Sequence, residues 1–118
     1  MAGEVYVNMA NDLTAKKNVG TGVLASNNYA VIQVDWANLN GQPELVIETS
    51  TDNITYYPAN MIDGLGLESP IKLRMDDTDG NDSITVDSIY STTPYVRVVV
   101  YGGNCTSGLI AYRIDVGA

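Results

Sequence analysis

Apolar and polar residues alternate with a period of two along most of this 118-residue chain, and this alternation is the feature that most constrains its fold. Between Tyr29 and Trp36 the even positions are Ala, Ile, Val and Trp, whereas Gln33 and Asp35 occupy odd positions. Side chains of a β-strand point alternately to opposite faces, so the pattern is typical of a strand with one buried face. Helical spacing is nearly absent, and the chain is therefore predicted to be all-β.

The same alternation predicts further strands, each bounded by Gly, Asn, Asp or Pro, at 44–50, 54–57, 71–75, 84–87, 95–101 and 109–116. Asn40-Gly41 predicts a hairpin between the strands on either side of it. The strands at 71–75 and 84–87 are expected to pair, and the last two strands to form a C-terminal hairpin. About eight short strands favour a two-sheet antiparallel β-sandwich, with jelly-roll-like and immunoglobulin-like topologies both open.

The chain length favours a single globular domain with one hydrophobic core. Glu4 to Met9 could form a strand, whereas Val19 to Ser26 is short, Gly-rich and weakly patterned. We therefore expect residues 1–28 to form an N-terminal arm plus a first weak strand, and residues 29–118 to form the β-sandwich domain. Trp36 is expected to anchor the core.

Composition excludes several classes of function. The chain has no His and one Cys, which excludes a Ser-His-Asp triad, a His-based metal site and an intramolecular disulfide. We expect no enzymatic activity and no cofactor, and we interpret Cys105 as a small buried hydrophobic residue. Fourteen acidic residues against six basic ones give a net charge of −8, so neither nucleic acid nor a membrane is expected as a partner. With no signal-peptide pattern, the chain is expected to be made in the cytoplasm.

Four carboxylates lie within seven residues of one another: Asp76, Asp77, Asp79 and Asp82. Clusters of oxygen ligands suit Ca²⁺, but with Gly80 at the sixth position of an EF-hand loop, Met75 and Val86 fall on the first and twelfth ligand positions. The EF-hand motif therefore fails. A solvated turn is favoured, because Asp, Asn and Gly are turn-forming residues, and an irregular calcium loop is the alternative.

The aromatic residues are eight Tyr and one Trp, with no Phe, a composition that favours half-exposed rings at interfaces or on sugar-binding surfaces. The second face of strand 95–101 carries Tyr95, Arg97, Val99 and Tyr101. The following strand adds Leu109 and Ala111 to its own second face. Both faces of these strands are thus largely apolar. One must be covered by the rest of the fold or by another subunit, which points to assembly rather than catalysis.

Three segments carry a resemblance to a known group of proteins. They are the strand Tyr29–Trp36, the segment Glu44–Pro58 with its Ser50-x-Asp52-x-x-x-Tyr56 turn, and the Tyr-Val-Arg-Val strand at 95–98 ahead of a Gly-containing turn and 109–114. Over about residues 29 to 114 the chain resembles small all-β virion proteins of tailed bacteriophages, of the capsid decoration (cement) and head-fibre type.

This resemblance implies a structural protein on the capsid surface of the virion. Such a protein would bind the outside of the assembled shell as a homo-oligomer, a trimer, and would bridge subunits of the major capsid protein. The residues expected at the interface are Tyr95, Arg97, Val99 and Tyr101, together with Glu4, Val5, Tyr6 and Val7 of the arm. The alternative is a carbohydrate- or receptor-binding module of a phage fibre or tail, in which Tyr56, Tyr57 or Tyr90 stacks on sugar rings and the acidic loop holds calcium.

Overall fold

Every regular element in the described parts of the chain is a β-strand, as the sequence predicts. The computed structural model describes residues 4–25, 30–62, 68–86 and 94–116. The strands are β1 (Val5–Asn8), β2 (Lys17–Val19), β3 (Val23–Leu24), β4 (Ala30–Ala37), β5 (Glu44–Ser50), β6 (Tyr56–Pro58), β7 (Asn60–Ile62), β8 (Glu68–Pro70), β9 (Lys72–Arg74), β10 (Gly80–Val86), β11 (Tyr95–Tyr101) and β12 (Leu109–Val116).

Ten of these strands form two antiparallel sheets that enclose one core, which confirms the predicted β-sandwich. The four-stranded sheet has the order β1-β12-β4-β10. The six-stranded sheet has the order β2-β11-β5-β6, with β3 also beside β11 and β9 also beside β5. Strands β7 and β8 form a separate two-stranded sheet in the described part of the chain.

Each edge of the six-stranded sheet is formed by two short strands that lie end to end: β2 and β3 beside β11, and β6 and β9 beside β5. Val19 pairs with Val99 of β11, and Val23 pairs with Val96. The edge segment thus advances four residues while β11 advances three, and the extra residue forms a bulge between β2 and β3. At the opposite edge, Ala59 and Ile71 both hydrogen-bond to Ile47 of β5 and to each other, so the β7-β8 hairpin is inserted between β6 and β9. The sandwich therefore has eight strand positions.

The chain crosses between the sheets at almost every connection. It alternates from β1 to β2/β3, β4 and β5, forms the β5-β6 hairpin, and alternates again from β9 to β10, β11 and β12. This is the jelly-roll topology, built from two interleaved Greek keys. It decides between the two topologies that the sequence leaves open, since the first two strands of an immunoglobulin domain share a sheet.

The three predicted hairpins are wrong for the same reason. Strands β4 and β5 lie in different sheets, as do β9 and β10, and as do β11 and β12. The Asn40-Gly41 turn therefore carries the chain over the edge of the sandwich instead of folding it back beside itself. The left-handed residue of that connection is Asn38, with φ of 58°. Turn-forming residues mark where a strand ends but do not specify which strand comes to lie beside it.

The predicted inward faces are confirmed. The alternating apolar residues of β4, β11 and β12 are buried in a core shared by both sheets, with Ile32, Val98 and Ile110 fully buried. Trp36 anchors the core as expected, and its indole Nε1–H donates to the Asp77 carbonyl at 3.0 Å. Cys105 is a buried core residue, also as expected.

The described part of residues 1–28 belongs to the sandwich and does not form an arm. Strand β1 is an edge of the four-stranded sheet, paired with β12, and β2 and β3 pair with β11. Val7, Met9 and Ala25 are core residues. The segment therefore supplies one edge of each sheet. Its sequence does not predict this, because strands of two and three residues are too short to show alternation.

Candidate functional site

The outer face of the six-stranded sheet brings together four residues that the sequence places on one interface. Tyr95, Arg97, Val99 and Tyr101 alternate along β11 with the buried valines and all point away from the core. Their register partners on β5 are Ser50, Glu48, Val46 and Glu44. We refer to this surface, with the outward residues of β2, β3, β6 and β9, as the β11 face.

A cross-strand ion pair lies at the centre of the β11 face. Arg97 donates from Nη2 and Nε to Oε1 of Glu48, at 2.7 Å and 2.8 Å. The guanidinium carbon also lies 3.9 Å from the ring centroid of Tyr56, a cation–π arrangement. Side chains from two other strands, β5 and β6, thus hold the Arg97 side chain. Sequence alternation places Arg97 and Glu48 on outward faces, but only the pairing of β5 with β11 makes them partners.

The Tyr56 ring is partly covered by this arrangement. Burial of the phenol raises the pKa of Tyr56, and the nearby Arg97 charge opposes that shift. The Tyr56 hydroxyl also donates to Oδ1 of Asn53. A ring already stacked against a guanidinium has one face fewer to offer to a sugar, which argues against Tyr56 as a stacking platform.

The middle of the β11 face is apolar and partly closed. Val99 pairs with Val46 on one side and Val19 on the other, and it is only 1% exposed although it points away from the core. Tyr101 and Leu24, towards the two ends of the face, are 40% and 53% exposed. A partner would therefore cover the rings and side chains around Val99 more than Val99 itself.

Positive charge is concentrated on the β11 face. Four of the six cations of the chain lie in its strands and point outward, namely Lys17, Lys72, Arg74 and Arg97. In these described strands the carboxylates in register with them are Glu44 and Glu48, and Asp76 of the loop after β9 pairs with Arg74, which leaves one positive charge in excess. On a chain of net charge −8, this face is the cationic side of an acidic molecule.

The Ser50–Tyr56 turn has a clear physical basis. Ser50 Oγ accepts hydrogen bonds from the backbone N–H groups of Asp52 and Asn53, at 3.2 Å and 3.0 Å. Oδ1 of Asp52 accepts from Ile54 and Thr55. These bonds lower the pKa of the Asp52 carboxyl, with the Thr55 N–H as the largest contribution. The Ser-x-Asp spacing closes the turn that delivers Tyr56 to the β11 face.

The four N-terminal candidates lie elsewhere. Strand β1 is in the other sheet, so Glu4, Val5 and Tyr6 do not join the β11 face of the same molecule. Val7 is fully buried and is not available to a partner. Tyr6 is 60% exposed, and its hydroxyl donates to Glu4 at 2.8 Å, a bond that raises the Tyr6 pKa.

The acidic loop uses its oxygens within the protein. Asp76 pairs with Arg74 at 2.9 Å, the Asp77 carbonyl accepts from Trp36, and Oδ1 of Asp79 accepts from the Asn38 N–H. Asp82 accepts from the N–H of Ser83. Among the described residues, no three Asp, Glu, His or Cys side chains are grouped to hold a metal ion. Of the remaining tyrosine candidates, Tyr57 is 69% exposed at the sheet edge, and Tyr90 lies outside the described residues.

A further feature at one end of the sandwich was missed by sequence reasoning. The connections 38–43, 75–79 and 102–108 gather there and leave two adjoining open clefts of about 350 Å³ and 470 Å³. Gln42 and Asn104 line both clefts. These connections are far apart in sequence, and only the crossing topology brings them together.

Comparison with known proteins returns no relative for this chain. No protein-family model matches it, and neither a curated protein nor a solved structure is significantly similar. Within the part of the chain that the structure describes, there is no helix with the length and hydropathy needed to span a membrane.

Proposed function

We propose that this protein is a virion component that binds the outside of an assembled bacteriophage capsid and stabilises it by bridging subunits of the major capsid protein, as a trimer. The observation that carries the proposal is the β11 face, where tyrosines, an arginine held by side chains of two other strands and partly exposed apolar residues share one sheet surface. Tyr and Arg are enriched in the centres of protein–protein interfaces. The sequence resemblance to decoration proteins suggests that the partner of this surface is the major capsid protein.

The central arginine is suited to binding because it is already ordered. Immobilising a flexible side chain costs about 0.5–1.5 kcal/mol on association, and a residue fixed beforehand avoids most of that cost. Arg97 is held by Glu48 and Tyr56 in the isolated molecule. Exposed apolar residues around it, such as Val19 and Leu24, would supply the apolar area that a partner covers.

Charge favours an acidic partner surface. With the Arg74–Asp76 pair counted, the β11 face has an excess of one positive charge on a molecule whose net charge is −8. Complementary potentials fix the orientation of docking and raise the association rate. A phage shell with an acidic outer surface would therefore receive this molecule through the β11 face and repel its remaining, acidic surface.

Stabilisation of the shell follows from mass action. A protein that binds only the assembled capsid lowers its free energy by an amount that grows with occupancy. Attachment through three copies makes the second and third contacts intramolecular and raises that occupancy further. Jelly rolls occur in viral capsid domains and in lectins, so the fold is compatible with this role.

Quantitative mass spectrometry of particles from the source of this chain tests the proposal. We expect hundreds of copies per particle, in fixed ratio to the major capsid protein. Particles without the chain would then be incubated with purified wild-type protein or with Arg97→Ala, and we expect at least tenfold lower occupancy for the variant. The matched control is Arg113→Ala, which removes an arginine from the outer face of the other sheet. Absence of the chain from particles, or equal binding by Arg97→Ala, would refute the proposal.

A further inference from the structure

The two clefts at the loop end of the sandwich are lined by polar groups that are hydrogen-bonded to one another in a row, which includes the backbone of Gln42 as well as side chains. Arg74 donates from Nε to Asp76 at 2.9 Å and from Nη2 to Oε1 of Gln42 at 2.6 Å. The backbone N–H of Gln42 donates to Oδ1 of Asn104 at 2.8 Å. Asp76 lines one cleft, Arg74 lines the other, and Gln42 and Asn104 line both. The row therefore joins the two clefts into one groove.

The groove is preorganised by bonds between its loops. Oδ1 of Asn40 accepts from the N–H groups of Thr106 and Ser107, at 2.8 Å and 3.1 Å, and its Nδ2 donates to Oγ1 of Thr106 at 2.9 Å. Gly41 allows the loops to meet, because a Cβ atom there would lie 2.7 Å from the backbone of Cys105. Polar groups fixed in this way need little ordering when a ligand binds.

One wall of the groove is aromatic. Tyr101 lines the smaller cleft beside Glu44 and Arg74, and 40% of it is exposed. It ends β11, where the β11 face meets the loop end. An exposed tyrosine ring presents an apolar surface, and its hydroxyl can join hydrogen bonds at the rim.

We propose that this groove binds a neutral oligosaccharide. A sugar ring has an apolar C–H face that would pack on Tyr101, and pairs of hydroxyls that match the amide, carboxylate and guanidinium edges of Gln42, Asp76 and Arg74. Clefts of about 300–1,000 Å³ are the usual size for small-molecule sites, and the two clefts fall within it at about 350 Å³ and 470 Å³.

The lining also distinguishes between ligand classes. Among the described residues that line the groove, Leu39 and Tyr101 are the only large apolar side chains, whereas a peptide site needs several apolar anchors. Glu44 and Asp76 outnumber the single cation, Arg74, so sialylated or sulfated sugars and nucleic acids are disfavoured. A neutral polyhydroxylated ligand is the chemistry that remains.

An array printed with neutral, N-acetylated and sialylated oligosaccharides tests this site. The variants are Tyr101→Ala, which removes the aromatic wall, and Asn104→Asp, which keeps the oxygen that accepts from Gln42 but replaces the amide donor. We expect the wild type to bind at least one neutral oligosaccharide and both variants to bind it at least tenfold more weakly. Tyr57→Ala, an exposed tyrosine away from the groove, is the matched control and retains binding. Circular dichroism checks that each variant is folded.

The inference fails if no neutral oligosaccharide binds, or if binding survives both groove substitutions. Preferential binding of sialylated sugars would also overturn it. Its outcome is separate from that of the proposed function, because Asn104→Asp lies outside the β11 face and should leave capsid occupancy unchanged, whereas Arg97→Ala lies outside the groove and should leave oligosaccharide binding unchanged.

Discussion

The two sheets of the sandwich bury their inner faces alike but organise their outer faces differently. On the four-stranded sheet, the outer ion pair joins Arg113 to Asp115, two residues apart on one strand, at 2.9 Å. On the six-stranded sheet, Arg97 and Glu48 join neighbouring strands and Tyr56 comes from a third. The Arg113–Asp115 pair lies within one strand and does not depend on which strands are its neighbours. The Arg97–Glu48–Tyr56 arrangement forms only when three strands are assembled in the sheet. The contacts of Arg97 with Glu48 and Tyr56 therefore both stabilise the six-stranded sheet and order the candidate interface on the β11 face.

The largest expected difference between the outer faces concerns apolar burial. Val99→Ala should lower the free energy of unfolding by about 1.5 kcal/mol, since two buried methyl-sized groups are lost at about 0.8 kcal/mol each. Leu109→Val, on the outer face of the four-stranded sheet where the side chain is 39% exposed, removes one such group and should cost only about 0.5 kcal/mol. Urea unfolding monitored by Trp36 fluorescence measures both. Equal losses would show that the two outer faces do not differ in this way.

The second difference concerns the ion pairs. Glu48→Gln should cost about 1 kcal/mol, because Glu48 is only 8% exposed and its carboxylate accepts two bonds from Arg97. Asp115→Asn, in the more exposed pair, should cost less than about 0.5 kcal/mol. The same unfolding experiment compares them. A larger loss for Asp115→Asn would reverse the comparison between the sheets.

The fold class and the inner faces could be predicted from sequence because both depend on alternation along a single strand. Ile32, Val98 and Ile110 are buried as their positions predict. Strand partners could not be predicted, because Asn40-Gly41 is compatible with a hairpin and with a crossing between sheets. The contribution of β1, β2 and β3 was underestimated for a related reason, since strands of two to four residues show little alternation.

The candidate sites divide in the same way. That Tyr95, Arg97, Val99 and Tyr101 share a face follows from their spacing. The Arg97 link to Glu48 and Tyr56 depends on the order of three strands, and the groove depends on three connections from distant parts of the chain. Alternation assigns a residue to a face, and only the topology determines what else lies on it.

The smallest expected effect concerns the turn that holds Tyr56 at the β11 face. Hydrogen bonds from Thr55, Ile54 and Ser50 lower the pKa of Asp52 below its ordinary value of 3.8. A carboxyl with a lowered pKa in the folded state contributes stability that is fully present above its unfolded-state pKa and is lost as the pH falls through the folded-state pKa. Wild-type stability should therefore decline below about pH 4, and Asp52→Asn should decline less over that window.

The Asp52 pKa can be followed directly by NMR titration of its carboxyl carbon. Thr51→Ala, in the same turn, is the control and should leave that pKa unchanged, since none of the hydrogen bonds that lower it comes from Thr51. Ser50→Ala should move it towards 3.8, because one of those bonds is removed. If the pKa of Asp52 were already 3.8 or higher in the wild type, the Ser-x-Asp closure would not operate in solution. Tyr56 would then be held at the β11 face by its pairing with Ser50 and by its contacts with Arg97 and Asn53.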